Sequence, residues 1–281
     1  MTAWRGVAEE EARRPLGAVG LGLAIARGLP LALLVYGGLA LLLLLRLAEA
    51  PLCGQARPVT PHLTRLVCRG ALRLLGLPLH VTGRPMQGRG ALVANHASWL
   101  DIFVLNACQT VYFVAKAEVA RWPLIGWLAR ATGTVFIARD PRQAKAQQAL
   151  LEARIRADHR LLFFPEGTSS DGRRVLPFKP TLFAAFYSHG LDHVMRIQPV
   201  TVIYHPPAGQ PPRFYGWWGE MDFAPHLLKV LAAPRQGRVE VVFHPPVAVD
   251  AFASRKALAL HCEEAVRGAL ESRLAAGPSG R

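Results

Sequence analysis

The chain has 281 residues, of which 51% are hydrophobic and 19% charged, and 33 Lys and Arg against 19 Asp and Glu leave a net charge of +14. This much apolar content with so little charge excludes intrinsic disorder, and the basic excess points to anionic partners such as lipid headgroups, phosphorylated substrates or nucleic acid. The cysteines Cys53, Cys68, Cys108 and Cys262 form no C-x-x-C pair, so neither a zinc ribbon nor a thioredoxin-type redox site is encoded, and free, mostly buried thiols are expected.

The apolar excess sits at the start. Residues 28 to 45, GLPLALLVYGGLALLLLL, run 18 residues without a charge, long enough to cross most of a bilayer core. The acidic Glu9-Glu10-Glu11 before it and the late start argue against a cleaved signal peptide. Gly28, Pro30, Gly37 and Gly38 would permit a bend, so the run admits either a spanning helix or a re-entrant pair. A basic amphipathic helix is predicted over 61–75, with Thr60 as N-cap, Pro61 at its first position and Gly76 as stop. Its Arg65, Arg69 and Arg73 share one face opposite Leu63, Val67, Ala71 and Leu74. Directly after a membrane segment, these arginines are read as facing anionic headgroups, the alternative being an ordinary helix packed on the core. Residues 1–80 therefore form a membrane-associated region and 81–275 a catalytic domain. The flanking charges favour the cytoplasmic face of an inner membrane.

From residue 81 the pattern alternates. Strands are predicted at 91–94, 110–115, 134–138, 160–164, 196–203 and 238–244, and helices at 141–157, 180–188, 224–232 and 254–274. This is an α/β fold with a mostly buried mixed sheet flanked by helices.

Four segments can carry chemistry. Asn95-His96-Ala97-Ser98-Trp99-Leu100-Asp101 falls where a buried strand gives way to a helix. There Asp101 can fix the tautomer of His96, leaving the other ring nitrogen as a base; Ser98 is read as a cap or loop-orienting residue, since no G-x-S-x-G elbow surrounds it. The strand Gly133–Arg139 delivers Arg139 to a loop mouth, where it could clamp a phosphate. Phe163-Phe164-Pro165-Glu166-Gly167-Thr168-Ser169-Ser170 is an apolar strand running into a turn with N–H and hydroxyl donors. Pro199, inside Ile197-Gln198-Pro199-Val200, suggests an edge strand or a bulge. His189 and His193 have helical metal-ligand spacing, but Gly190 lies between them and no third ligand is evident.

In order and spacing, NHASWLD, GTVFIAR, FPEGTSS and IQPV resemble the four blocks of the glycerolipid acyltransferase family that includes the bacterial 1-acyl-sn-glycerol-3-phosphate acyltransferases. The segment with Lys116, Trp122-Pro123 and Gly126 is similar to the family's stretch between the first two blocks. The resemblance implies a glycerol-3-phosphate acyltransferase-like fold and transfer of an acyl chain from acyl-CoA or acyl carrier protein to a lysolipid hydroxyl. Lysophosphatidic acid is the first expectation for the acceptor and lyso-ornithine lipid the alternative. It implies His96 as base and Asp101 as its orienting acid. Asn95, Ser98, Arg139, Glu166, Gly167, Thr168 and Pro199 fall on the substrate side, with no metal and no prosthetic group. The segments Leu176–Phe183 and Gly216–Phe223 depart from the common pattern and look more like the lyso-ornithine branch. Nucleic-acid binding, the rival reading of +14, lacks any recognisable reading motif, and no nucleic acid is expected as a partner.

Overall fold

The computed structural model describes residues 17–88, 90–138, 142, 144–187 and 195–277. Arg139, Asp140, Pro141, His189 and His193 lie outside the described residues, and so do the readings placed on them.

The apolar run belongs to a single helix, α1 (Ala18–Cys53), continuous through Pro30 and the Gly37-Gly38 pair, so the re-entrant alternative is not formed. Its buried positions Ala24, Leu31, Val35, Leu42 and Glu49 make one seam. That seam faces α2 (Thr60–Leu75) and α6 (Phe223–Ala232). Two glycines let the backbones of α1 and α2 approach: a β-carbon at Gly38 would stand 2.6 Å from a Val67 methyl, and one at Gly70 2.8 Å from a Leu34 methyl. Gly38→Val is therefore expected to cost about 1–3 kcal/mol through overpacking, whereas Gly22→Val, which meets nothing within 4 Å, should leave thermal unfolding unchanged. The side of α1 away from the seam exposes Leu29, Leu33, Leu44 and Leu47.

α2 stops at Gly76 as predicted, left-handed at φ 70°, but it starts one residue early, with Thr60 as its first helical residue and Val59, not Thr60, at the N-cap. Its cap is supplied differently. Glu49 of α1 accepts from the backbone N–H of Val59 (2.7 Å) and Thr60 (3.2 Å) and from the Thr60 hydroxyl (2.6 Å), so a carboxylate of the previous helix satisfies the orphan donors. The basic face also differs from the headgroup reading. Arg65 donates to the carbonyls of Ala107 (3.3 Å) and Cys108 (2.7 Å), and Arg69 to Ala107 (2.9 Å). They cap the C-terminus of α3 (Asp101–Cys108), where the helix dipole favours cations.

Eight strands form one mixed sheet in the order β1-β7-β6-β2-β5-β3-β4, with β8 beside β6. They are β1 (Leu79–Thr82), β2 (Gly90–Ala94), β3 (Tyr112–Lys116), β4 (Val135–Ile137), β5 (Leu161–Phe163), β6 (Arg196–His205), β7 (Arg238–Phe243) and β8 (Val247–Ala248). β2 is parallel to both β5 and β6, and β3 to β4 and β5, while β6 runs antiparallel to β7 and β8. All six predicted strands form; β1 and the two-residue β8 are additional. Two apolar layers cover the sheet, one under α1–α3 and α6, the other under α5 (Ala144–Arg156) and α7 (Arg255–Ala275). Ser254 caps α7 by accepting from Ala257 N–H at 3.2 Å. A short α4 (Ile125–Ala131) follows β3.

Pro199 corrects the edge-strand expectation, because β6 is central. Its carbonyl accepts from His244 N–H at 3.1 Å, so its missing donor faces the gap between the β8 ladder, which ends at Ile197, and the β7 ladder, which begins at Val200. An absent N–H costs nothing where no ladder runs.

The thiols are free: Cys68, Cys108 and Cys262 are buried, which pushes each up to about 12, and Cys53 is exposed.

Candidate active site

β2 and β5 are parallel neighbours, so the loops leaving their C-terminal ends emerge side by side, at the edge where α/β sheets hold ligands. The first is Asn95–Leu100 and the second Phe164–Ser170. β6 continues past the end of β2 and brings Tyr204 to the same edge.

Asp101 opens α3 and is fully buried. Its Oδ2 accepts from His96 Nδ1 (2.7 Å), Ala97 N–H (2.9 Å) and Ser98 N–H (3.0 Å), and its Oδ1 from the Tyr204 hydroxyl (2.7 Å). A carboxylate surrounded by four donors is held in a fixed rotamer, and because it is acceptor-only it forces the imidazole proton onto Nδ1. Nε2 is left as the basic nitrogen. The ring stacks on Phe164 at 4.1 Å and 13°, and the His96 side chain keeps 21% exposure, enough for an acceptor hydroxyl to reach it.

The remaining residues hold this pair in place. Asn95, fully buried, exchanges two hydrogen bonds with Val202, Nδ2 to its carbonyl (2.9 Å) and Oδ1 from its N–H (2.8 Å). Its amide thus ties β2 to β6. Ser98 is also fully buried, and its Oγ accepts from Leu100 N–H at 3.3 Å, a turn-forming contact. Glu166 accepts from His96 N–H (2.7 Å) through one oxygen and from Leu176 N–H (2.8 Å) through the other. Ser170 N–H donates to the His96 carbonyl at 2.8 Å, and Trp217 N–H to that of Ala97 at 2.8 Å. Trp99 Nε1 donates to His226 Nδ1 of α6 at 2.9 Å, where burial pushes that imidazole down to about 3 and keeps it a neutral acceptor. Gly167 is left-handed at φ 69°, and a β-carbon there would stand 2.5 Å from Lys179 Nζ, so the lysine ammonium lies against this turn. Thr168 is half-buried beside it.

The first three N–H groups after Asn95 are not available for the oxyanion role that a strand-to-helix turn suggests. Those of His96, Ala97 and Ser98 are all engaged by Glu166 or Asp101. Among the described residues no cluster of three metal-ligating side chains occurs.

Burial pushes the Glu166 carboxyl up to about 8, against the pull of its two backbone donors and with a further rise from Asp101. The native state therefore retains this proton at pH values where an ordinary carboxyl at 4.5 has lost it. The contribution to stability is complete below that value and disappears as pH rises through about 8. The melting temperature of the wild type is expected to fall more between pH 5 and 8 than that of Glu166→Gln; parallel profiles would refute the assignment.

Phe164, Ser170 and Tyr204 were not singled out by sequence reasoning. Tyr204 had a usable signal, a tyrosine ending an apolar central strand, whose buried hydroxyl requires a partner.

A sheet edge carrying a carboxylate-oriented histidine, with no serine or cysteine side chain hydrogen-bonded to its Nε2 among the described residues, fits activation of a hydroxyl acceptor. The family model described as Acyltransferase matches residues 79–203, and the chain belongs to this acyltransferase family. It is 64% identical over 260 residues, 92% of this chain and 94% of the relative, to the lyso-ornithine lipid O-acyltransferase of Rhodobacter capsulatus. It is 40% identical to that of Brucella abortus over 72% of this chain and 79% of the relative. To the 1-acyl-sn-glycerol-3-phosphate acyltransferase of Neisseria gonorrhoeae it is 37% identical over 50% of this chain and 55% of that protein. The crystal structure of the 1-acyl-sn-glycerophosphate acyltransferase PlsC from Thermotoga maritima superposes with a TM-score of 0.65 at 22% identity, over 93% of this chain and 98% of that one, which shows a shared fold. The protein is accordingly an acyltransferase acting on lysolipids.

Proposed function

We propose that the protein O-acylates lyso-ornithine lipid, taking the acyl group from the thioester of acyl-CoA or acyl carrier protein at a cytoplasmic inner-membrane surface. The observation that carries this is the 64% identity, over nearly the full length of both chains, with a lyso-ornithine lipid O-acyltransferase. The two segments that depart from the common family pattern support it by their position. Lys179 lies against the Gly167 turn, its neighbour Phe178 is anchored by Glu263 at 2.7 Å, and Trp217 holds the carbonyl of Ala97. Both segments therefore touch the loops around His96. Lysophosphatidic acid, the first expectation from sequence, is named for a relative that is 37% identical over half of the chain and for a fold neighbour that is 22% identical.

In the mechanism, His96 Nε2 removes the proton of the acceptor hydroxyl while Asp101 stabilises the imidazolium that forms. The oxygen attacks the thioester carbonyl, the carbon–sulfur bond breaks, and the imidazolium returns its proton to the leaving thiolate. Asn95 and Glu166 position the histidine loop, while Gly167, Thr168 and Lys179 face the acceptor. Pro199 and Arg139 keep the substrate-side roles that the resemblance implies. The exposed leucines of α1 support a lipid surface as the setting of this edge, where +14 favours anionic headgroups.

The test supplies one labelled acyl thioester with lyso-ornithine lipid or lysophosphatidic acid in separate reactions. Labelled ornithine lipid is the expected product; label in phosphatidic acid alone would overturn the assignment.

A further inference from the structure

A second polar cluster lies at the opposite end of the sheet from His96, roughly 15 Å away by strand rise. It gathers where β3 begins at Tyr112, where His159 and Arg160 lead into β5, and where the link between α1 and α2 passes. The Tyr112 ring stacks on His159 at 4.1 Å, and the guanidinium carbons of Arg57 and Arg154 lie 6.0 and 5.0 Å from its centroid. Arg57 donates to the Ala131 carbonyl at 3.0 Å, and Arg154 to Gln55 Oε1 at 3.4 Å and to the Gly133 carbonyl. Among the described residues no carboxylate forms an ion pair with Arg57, Arg154, His159 or Arg160. Glu49, the nearest counter-charge to Arg57, is occupied by Thr60, Val59 and Arg46.

Several donors here are unused. Arg57 Nε, Arg160 Nε and both ring nitrogens of His159 are buried without a hydrogen-bond partner; burial, and after it Arg154, lowers the His159 imidazole to about 4 in spite of the nearby Gln55 backbone, so the neutral ring offers one N–H. His159 is 4% exposed and Arg154 8%. Burial lowers the pKa of both Arg57 and Arg154, with Arg46 adding to it at Arg57 and Arg57 adding to it at Arg154. A cavity of about 260 Å³ opens onto Arg57, His159 and Arg160, with Cys53 and Asp158 also on its wall. Arg57 and Arg160 on the wall, with Arg154 over the Tyr112 ring behind it, against the single wall carboxylate Asp158 leave a positive, donor-rich hollow. Buried charge of this kind is stabilised when an anion completes its hydrogen bonds.

We propose that this cavity binds a phosphate group, carried by a lipid headgroup or by a soluble phosphate, and that the bound anion locks the α1–α2 hairpin onto the sheet. A tetrahedral phosphate offers acceptors in several directions, which suits a cavity wall that holds Arg57, Arg160 and His159. The cavity adjoins the C-terminal end of α1, where Leu47 and Leu52 are exposed, so a headgroup reaches it from the same surface that the apolar helix face meets. It is separate from acceptor recognition and stands whether or not the acceptor is lyso-ornithine lipid.

Cys53 gives a readout in the unmodified protein, since it is the exposed thiol and lies on the cavity wall. Its alkylation by a maleimide is followed at equal ionic strength in chloride, in inorganic phosphate, and with vesicles of phosphatidylcholine alone or mixed with phosphatidylglycerol. Phosphate at ten times its dissociation constant is expected to slow labelling severalfold and to raise the melting temperature by ~3–6 °C. Both effects should be lost in Arg57→Gln and His159→Gln and kept in Arg255→Gln, an exposed charge control. Protection by the phosphatidylglycerol vesicles but not by inorganic phosphate, with the same sensitivity to the variants, supports the headgroup as the source. Equal labelling in chloride and phosphate together with no difference between the two vesicle types would overturn the proposal. Protection that survives in Arg57→Gln and His159→Gln would do the same. If neither variant folds, the comparison in the unmodified protein decides.

Discussion

Replacing His96 with alanine is expected to lower the rate of acyl transfer by two to four orders of magnitude while the protein still melts within a few degrees of wild type. The rate loss is the usual contribution of a positioned general base to a step whose nucleophile is an un-ionised hydroxyl. The small effect on stability follows from the site. The imidazole is partly exposed at a loop edge, and the backbone N–H of residue 96 keeps its bond to Glu166 whatever the side chain. Steady-state kinetics with either acceptor, beside thermal unfolding, separates the two quantities. A variant that retains a tenth of wild-type activity would remove His96 from the base role.

Asp101→Ala is expected to damage both activity and fold. It strips the acceptor from the Tyr204 hydroxyl and from two backbone N–H groups in a site with no exposure. Buried donors left without partners cost about 1–3 kcal/mol each, so a loss of about 3–5 kcal/mol is anticipated, a fall in melting temperature of ~6–20 °C. Asp101→Asn divides the two roles. Its oxygen can serve the three N–H donors while Tyr204 turns its hydroxyl to accept from the amide, so the fold should survive far better. The charge that stabilises the imidazolium is gone, and turnover should still drop at least 100-fold. Equal unfolding losses for the two variants would show that the carboxylate's charge, and not its hydrogen bonds, holds the loop.

How much of this was legible in the sequence depended on whether a residue's role is local. The β2, β5 and β6 strands announced themselves as apolar runs bounded by polar turns, and the His96–Asp101 spacing carried its own geometry because five residues of one turn bring the two side chains together. Partners distant in the chain were not legible. Glu49 capping α2, Arg65 and Arg69 closing the end of α3, and Tyr204 completing the Asp101 shell all depend on the order in which strands and helices pack. A basic helix face reads the same in sequence whether it meets lipid or the carbonyl end of another helix. For Pro199 the edge alternative failed and the bulge alternative held for a related reason: residues 198 and 199 face three residues, 244 to 246, between the β8 and β7 ladders, and only the β7–β8 junction shows this.

Ser98 and Asn95, conspicuous in the motif, are consumed by internal hydrogen bonds. In the proposed mechanism the chemistry is thereby concentrated on a single nitrogen, His96 Nε2, and the acceptor oxygen attacks the thioester without a covalent acyl-enzyme. The direct test is a single-turnover reaction of purified protein with a labelled acyl thioester, first without and then with lyso-ornithine lipid, followed by intact-protein mass measurement. The account predicts an unmodified protein mass in the first case and label only in the lipid in the second. A protein mass raised by one acyl group, chased into lipid when the acceptor is added, would contradict it.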